Sequence, residues 1–280
     1  MSKRLAYLAA ACVLVGAGFF LGGRQSHDAG AAAGPATAAQ FPAGRLVDLT
    51  HPFNRRTIYW PTATGFKLKR VAEGHTEGGY FYAASDFEAA EHGGTHLDAP
   101  YHFARRGRQA DQIPVGDLVA NGIMVDVSQR ALADRDYRIG IADFQAWESA
   151  NGPIPPDSSV LLRTGYDQYW PDRRRYLGTA QRGQRAVPKL HFPGLHPDAA
   201  RWLVNERRVN AVGLDTASID YGQSTKFETH RILGAANVPV FENLENLDQL
   251  PPSRFTVMAL PMKIDRGTGG PLRAVALVWG

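Results

Sequence analysis

The sequence has 280 residues, of which 44% are apolar and 21% are charged, which suits a buried core and excludes a wholly disordered chain. The 31 basic and 27 acidic residues give a net charge of +4. The basic residues are scattered and no groove-reading motif accompanies them, so a nucleic-acid partner is not expected.

Residues 1–40 are expected to lie outside the folded domain. Lys3 and Arg4 precede an uncharged apolar run from Leu5 to Gly23, and a stretch rich in alanine and glycine follows. That order is typical of an export signal, and the apolar run is also just long enough to span a bilayer. A cleaved signal sequence and a retained N-terminal membrane anchor are both open. In either case residues 41–280 are expected to form the folded domain, in the periplasm or otherwise outside the cytoplasm, with no further membrane contact.

The remaining chain predicts a β-rich α/β domain. Short apolar runs bounded by polar residues predict strands. We expect these strands at Arg45–Leu49, Tyr80–Glu88, Gly122–Val127, Ser159–Arg163, Val209–Leu214, Val238–Phe241, Phe255–Leu260 and Ala274–Trp279. Helices are predicted at Ile141–Ala150 and from Pro197 to Asn205, whereas residues 166–195 are interpreted as a long loop or insertion.

The residues with metal-binding chemistry are concentrated between positions 91 and 102. His92, His96 and Asp98 carry the imidazole and carboxylate groups that zinc and similar divalent metals prefer. Two glycines and a proline within the segment argue against a helix. In an extended segment His96 and Asp98 project to the same side, and the glycines permit a turn that brings His92 round to join them. Three protein ligands leave room for water, which is the pattern of a catalytic metal site.

Two further features accompany this segment. His102 follows a proline turn, from which its imidazole can approach a metal-bound water and act as a general acid or base. His230 and Glu242 form a second group, in which Glu242 follows an apolar strand and needs a partner for its charge. Two interpretations of that group are open: a second metal bridged by Asp98, or a hydrogen-bonded pair without a metal.

Several aromatic residues flank the motif in the sequence. They are Phe53, Tyr59, Trp60, Tyr80, Tyr82 and Phe103. Most are expected in the core, and one or two are expected to form the wall of an aromatic substrate pocket, for which Trp60 is the candidate.

The pattern from His92 to His102 resembles the H-x-G-T-H-x-D-x-P-x-H signature of the metal-dependent cyclase-family hydrolases, whose branches include kynurenine formamidases and isatin hydrolases. Supporting stretches lie at residues 48–52, 162–165, 192–195, 213–216 and 269–273, so the resemblance extends from about residue 44 to near the end of the chain. It implies a swivelling β/β/α fold in a single domain. It also implies a homodimer or homotetramer.

The resemblance implies a metal centre with named ligands. These would be His92, His96 and Asp98 for one ion and Asp98, His230 and Glu242 for a second. The formamidase branch implies two ions and the isatin hydrolase branch implies a single manganese. One or two ions of Zn²⁺, or alternatively Mn²⁺, are therefore expected in each subunit.

The resemblance also suggests residues that contact the substrate. It implies that His102 is the acid/base. Gln223 and Ser224 lie where the isatin hydrolase branch has polar site residues, so both are candidates for substrate binding.

Together these features predict a metal-dependent hydrolase that cleaves the C–N bond of an aryl formamide or a cyclic amide. A metal-bound hydroxide would attack the carbonyl carbon, and His102 would pass a proton to the leaving nitrogen. The expected partner is a small aromatic amide. Two alternatives are open: an exported metal- or ligand-binding protein without catalysis, and a lyase or dehydratase that uses the same metal.

Overall fold

The structure is a computed structural model that describes residues 43–279. The predicted leader and the predicted domain boundary near residue 40 lie outside these residues. Within the described part of the chain, no helix is long and apolar enough to cross a membrane.

The described residues form a β-rich α/β domain, as predicted. The strands are β1 Gly44–Asp48, β2 Lys67–His75, β3 Phe81–Glu88, β4 His96–Asp98, β5 Val119–Asp126, β6 Arg138–Ile139, β7 Ser159–Arg163, β8 Gly194–Leu195, β9 Ala211–Leu214, β10 Val240–Glu242, β11 Phe255–Pro261 and β12 Gly269–Trp279. The helices are α1 Val115–Leu118, α2 Ser128–Ala133, α3 Ile141–Asn151, α4 Arg173–Leu177, α5 Pro197–Trp202 and α6 Glu228–Ala235. A π-helical turn, Leu203–Arg207, continues α5.

Eight strands form one mixed sheet, in the order β1-β12-β11-β5-β7-β9-β10-β4. Because β4 also pairs with β12, the sheet closes into a barrel. In this position His96 lies opposite Glu242 of β10 and Pro271 of β12, and Asp98 lies opposite Val240. The strand β4, which carries the candidate ligands His96 and Asp98, therefore lies between β10, which carries Glu242, and β12.

The core lies on both faces of the sheet, which is why its central strands are short continuous apolar runs. Along β7, Val160 and Leu162 pack in the layer that contains the helices. Leu161 faces the other way and packs with Phe241 and Phe255 inside the barrel. This alternation follows from the two-residue period of a strand, and it fixes which side chains of β4 face outward from the barrel interior.

The interpretation of residues 166–195 as a long loop is wrong. The segment contains α4, β8 and short 3-10 turns. Its side chains Tyr166, Tyr176, Leu190 and Phe192 form a buried cluster with Ile58. These apolar residues follow neither a helical nor a strand period, so the sequence pattern did not reveal that they are buried.

A separate antiparallel hairpin of β2 and β3 projects between residues 67 and 88. The sequence predicted β3 but not β2, which is rich in charged residues. Tyr80 and Tyr82 are 64% and 53% exposed, so the expectation that they belong to the core is wrong. We call residues 67–88 the hairpin arm.

The last strand begins at Gly269 instead of the predicted Ala274. Two glycines and a proline open it, and these residues are typical of turns. In the structure they pair with β4, where Pro271 lies opposite His96.

Candidate metal centre

The first group of candidate ligands is built by β4 and the turn before it. His96 and Asp98 lie on the face of β4 opposite Leu97, which packs inside the barrel. Gly94 adopts a left-handed backbone with φ of 61°, and the resulting turn brings His92 back beside the strand. His92 Nδ1 lies 2.6 Å and His96 Nε2 lies 3.1 Å from Asp98 Oδ1. The structure thus brings together the three side chains that the motif predicts to be neighbours.

The second group reaches the same carboxylate from the other side. His230, on α6, places Nε2 3.0 Å from Asp98 Oδ2 and 3.2 Å from Glu242 Oε1. Glu242 ends β10, and its Oε2 lies 3.5 Å from His96 Nε2. The side chains of this cluster are buried, namely those of His96, Asp98, His230 and Glu242. Asp98 therefore belongs to both groups, with one oxygen directed to each.

The donor set suits divalent metals. Within each group, His92–His96–Asp98 and Asp98–His230–Glu242, one ligand atom from every residue lies within 4.8 Å of the others. Imidazole nitrogen and carboxylate oxygen are the donors that zinc and manganese accept. With three protein donors in each group, coordination positions remain for water or substrate.

The rings of two histidines are held from behind. His96 Nδ1 donates to the Gly94 carbonyl at 2.9 Å, and His230 Nδ1 lies 2.6 Å from Asp220 Oδ2. Both contacts leave Nε2 directed at the carboxylates. A metal-binding histidine usually donates its other ring N–H in this way, which fixes its tautomer and orientation.

Burial and charge oppose each other in this cluster. Burial alone would raise the pKa of Asp98, yet the neighbouring imidazoles His92, His230 and His96 hold that pKa well below its usual range. Burial, together with repulsion from Asp98, raises the pKa of Glu242. Burial would lower the pKa of His96 and of His230, but their contacts with the carboxylates raise both. The buried carboxylates thus require positive charge beside them, which a bound divalent cation would supply.

His102 lies beside the cluster on a 3-10 turn, Pro100–His102. Its ring stacks on the ring of His92, with centroids 3.8 Å apart and planes 17° apart, and meets Phe103 edge-on at 4.4 Å. Burial, with a smaller contribution from the neighbouring imidazoles, lowers the pKa of His102 to about 4, although Asp98 opposes that shift. His102 is therefore neutral near pH 7 and has a ring nitrogen that can accept a proton.

A cavity of about 290 Å³ opens onto both groups and onto His102. Its walls are largely aromatic and aliphatic. They include Ile58, Tyr59, Trp60, Phe103 and Phe227. Trp60 meets Phe227 edge-on, with centroids 6.3 Å apart. Trp60, the candidate for substrate contact, therefore lines the cavity. An apolar wall around a few polar groups is typical of a small-molecule site.

The structure does not bring Gln223 and Ser224 to this cavity. Gln223 donates to the backbone carbonyl of Leu190. Ser224 Oγ lies 3.1 Å from Asp220 Oδ1 and accepts from the Phe227 N–H at 3.2 Å. Neither residue lines the cavity, and Ser224 supports the carboxylate that holds His230.

Sequence reasoning missed several residues that position the site. Asp220 is one of them, and its signal in the sequence is a carboxylate near His230. Asn243 donates to the Gly94 carbonyl at 2.8 Å, and Tyr176 donates its hydroxyl to Asn243 Oδ1 at 2.9 Å. These contacts join distant parts of the chain, so no local sequence pattern predicts them.

Comparison with known proteins finds relatives that match most of the chain. The family described as putative cyclase matches residues 47–221. Isatin hydrolase from Roseibium aggregatum is 32% identical over 221 residues, 76% of this chain and 81% of that protein. Kynurenine formamidase from Salinibacter ruber is 29% identical, over 82% of this chain and 96% of that protein. The structure of isatin hydrolase A from Ralstonia solanacearum superposes with a TM-score of 0.76 and 32% identity, over 84% of this chain and 92% of the other, which confirms the predicted fold.

Proposed function

The chain belongs to the putative cyclase family, and from that premise we propose that it is a metal-dependent amide hydrolase that cleaves the C–N bond of an aryl formamide or a cyclic amide. One observation carries the proposal. Two ligand groups that share Asp98, together with the neutral His102, face one cavity with aromatic walls. The names of the relatives, isatin hydrolase and kynurenine formamidase, support this choice of bond.

The proposed cofactor is Zn²⁺, or alternatively Mn²⁺, with one or two ions in each subunit. His92, His96 and Asp98 would hold one ion, and Asp98, His230 and Glu242 the other. When bound, such an ion acts as a Lewis acid that makes water nucleophilic near neutral pH and polarises a carbonyl group.

The chain's own residues supply orientation and proton transfer. Trp60, Phe103 and Phe227 enclose an aromatic ring and keep bulk water from it. The neutral imidazole of His102 accepts a proton at a ring nitrogen from the water that adds to the carbonyl carbon, and passes it to the amide nitrogen as the C–N bond breaks. An anilide nitrogen is a better leaving group than an alkyl amine, which suits a site with one acid and no covalent nucleophile.

The cavity supports a small substrate. Its volume of about 290 Å³ lies near the lower end of the ~300–1,000 Å³ of small-molecule sites. Such a space suits one small aromatic molecule. His92, His96 and Asp98 line the cavity, so the amide is expected beside them and the ring against the apolar wall.

The experiment is metal analysis of the purified chain with assays on formanilide and isatin. We expect bound Zn²⁺ or Mn²⁺, hydrolysis of at least one of these amides, loss of activity on chelation, and recovery on adding the metal back. Addition of water is checked by product mass, because a lyase would not add it. Full activity after exhaustive chelation, or a bound metal without turnover of either amide or related lactams, would contradict the proposal.

A homodimer or homotetramer is proposed as the assembly, with a second copy of this chain against the hairpin arm. Six large apolar side chains of the arm are exposed. They are Leu68, Val71, Tyr80, Phe81, Tyr82 and Phe87. A two-stranded hairpin is marginally stable in water by itself, and exposed apolar patches mark contact surfaces. The arm carries three basic and four acidic residues, so two copies do not repel each other strongly. Light scattering of the Phe81→Ser variant beside the wild type tests this: an unchanged oligomer would contradict it.

Export from the cytoplasm is also proposed. It is supported by residues 1–40 alone, whose order of basic, apolar and small residues is typical of a signal sequence or an anchor. Cell fractionation tests it, and a chain found wholly in the cytoplasmic fraction would contradict it.

A further inference from the structure

Of the three histidines His92, His96 and His230, only His92 presents Nδ1 to the Asp98 carboxylate. Nδ1 faces Asp98 Oδ1 at 2.6 Å, and Nε2 faces Thr268 Oγ1 at 2.8 Å. His96 and His230 present Nε2 to the carboxylates instead. The ring of His92 is thus turned the other way round, and Thr268 lies at the nitrogen that points out of the cluster.

The hydrogen bonds of Thr268 have a definite direction. The Thr268 backbone N–H donates to Glu91 Oε2 at 3.0 Å, and the hydroxyl of Thr268 donates to the same oxygen. An ionised carboxylate can only accept, and a hydroxyl has one proton to give. Thr268 Oγ1 must therefore accept from His92 Nε2–H. The contact keeps the proton on Nε2 and leaves Nδ1 as the nitrogen that can bind an ion.

Two neighbours hold the ring in this position. A Cβ at position 269 would lie 2.7 Å from His92 Cε1, so the glycine that follows Thr268 makes room for the ring. On its face the ring stacks against His102 at 3.8 Å. Rotating the ring by 180° about its Cβ–Cγ bond would replace Nδ1 in the cluster by carbon, and Thr268 would lose its donor.

We propose that Thr268, itself held by Glu91, selects the ring nitrogen of His92 that faces the ligand cluster, and is thus a positioning residue of the first ion's site. The inference rests on the proposed function in taking the cluster to be a metal centre. It adds that one ion is bound through Nδ1 of His92, whereas His96 and His230 present Nε2 to the carboxylates.

The experiment measures Zn²⁺ binding to the full chain by competition with a chromophoric chelator, without substrate. Thr268→Val keeps the shape and the backbone N–H but removes the hydroxyl, and we expect about 10- to 100-fold weaker binding of one ion. Thr268→Ser keeps the hydroxyl and should restore affinity to near that of the wild type. Glu91→Gln holds the hydroxyl more weakly and should lie between them.

A second readout is NMR of the His92 ring in the Zn²⁺-loaded protein, which distinguishes Nδ1 from Nε2 ligation. We expect Nδ1 ligation in the wild type and in Thr268→Ser, and its partial or complete loss in Thr268→Val. Thr179→Val is the control, because Thr179 lies in the segment 166–195 and its hydroxyl accepts from the Gln181 N–H. Thermal unfolding of every variant shows whether it is folded.

Wild-type Zn²⁺ affinity together with Nδ1 ligation in folded Thr268→Val would overturn the inference, as would equal losses in Thr268→Val and Thr268→Ser. If Thr268→Val does not fold, Glu91→Gln decides, and wild-type affinity there counts against the inference. Failure of the wild type to hydrolyse any amide would refute the proposed function and leave these binding measurements valid, because none involves a substrate.

Discussion

Asp98 and His230 are 132 residues apart in the chain, and their side chains meet with 3.0 Å between Oδ2 and Nε2. The other oxygen of Asp98 is 2.6 Å from His92 Nδ1. One buried carboxylate thus joins two groups of ligands that come from separate parts of the sequence. The number of ions held by each variant should reveal this sharing.

Replacing Asp98 by alanine should remove both ions, whereas His230→Ala should remove one. Asp98 belongs to both groups of ligand atoms and His230 to one. The measurement is metal content per protein chain after gel filtration, with circular dichroism to show that each variant is folded. Retention of the wild-type metal content by Asp98→Ala, or loss of both ions from His230→Ala, would be inconsistent with a shared carboxylate.

Replacing His102 by glutamine should lower kcat by about 10²- to 10⁴-fold, the range of a lost general acid–base group. Metal content should stay at the wild-type value, because His102 belongs to neither ligand group. The measurement combines steady-state kinetics on an aryl formamide with metal analysis. His75→Gln, on the exposed hairpin arm, is the matched control. A His102→Gln enzyme with wild-type kcat would remove His102 from the reaction.

Replacing Trp60 by alanine should raise KM for an aryl formamide about 10-fold with a smaller change in kcat, since an aromatic contact contributes about 0.5–1.5 kcal/mol beyond its buried area. Trp60 lines the cavity and packs edge-on against Phe227. An aliphatic formamide should be much less affected. Trp279→Ala, in the last strand, is the control, and equal effects on the aromatic and aliphatic substrates would argue against an aromatic contact.

His51 should make stability depend on pH. Its side chain is 2% exposed and stacks on Trp170, with centroids 4.2 Å apart. Burial lowers the pKa of His51 from 6.5 to about 4. Since the unfolded chain binds this proton more tightly, stability is present above pH 6.5 and is lost as the pH falls toward 4, by about 3 kcal/mol in total.

The check is the free energy of unfolding at pH 7 and at pH 4.5 for the wild type and for His51→Phe, which keeps an aromatic ring without a titrating group. The wild type should lose more stability between the two pH values than the variant does. Equal losses would mean that His51 does not contribute to acid sensitivity.

The local parts of the site were predictable because their geometry follows from neighbouring residues. His96 and Asp98 are two apart, so an extended backbone places them on one side, and β4 does so. Gly94 predicts a turn, and in the structure its backbone adopts the left-handed conformation. Glu242 directly follows an apolar run, and it ends β10. Each of these inferences needed only the period of a strand or the conformational range of glycine.

The residues that position the ligands were not predictable in the same way. Asp220 contacts His230, ten residues away in the chain. Thr268 contacts His92, and this pair is 176 residues apart. A hydroxyl at such a separation looks like any other polar residue in the sequence. Residues 166–195 were misread for a related reason, because Tyr176 and Phe192 are buried by contacts that no local period encodes.

The barrel closes at β4, which has three residues and pairs with β10 on one edge and β12 on the other. Two of those three side chains, His96 and Asp98, also belong to the ligand groups. One tripeptide therefore both closes the barrel and supplies two candidate metal ligands. A displacement of this backbone would therefore disturb the closure of the barrel and the ligand cluster together.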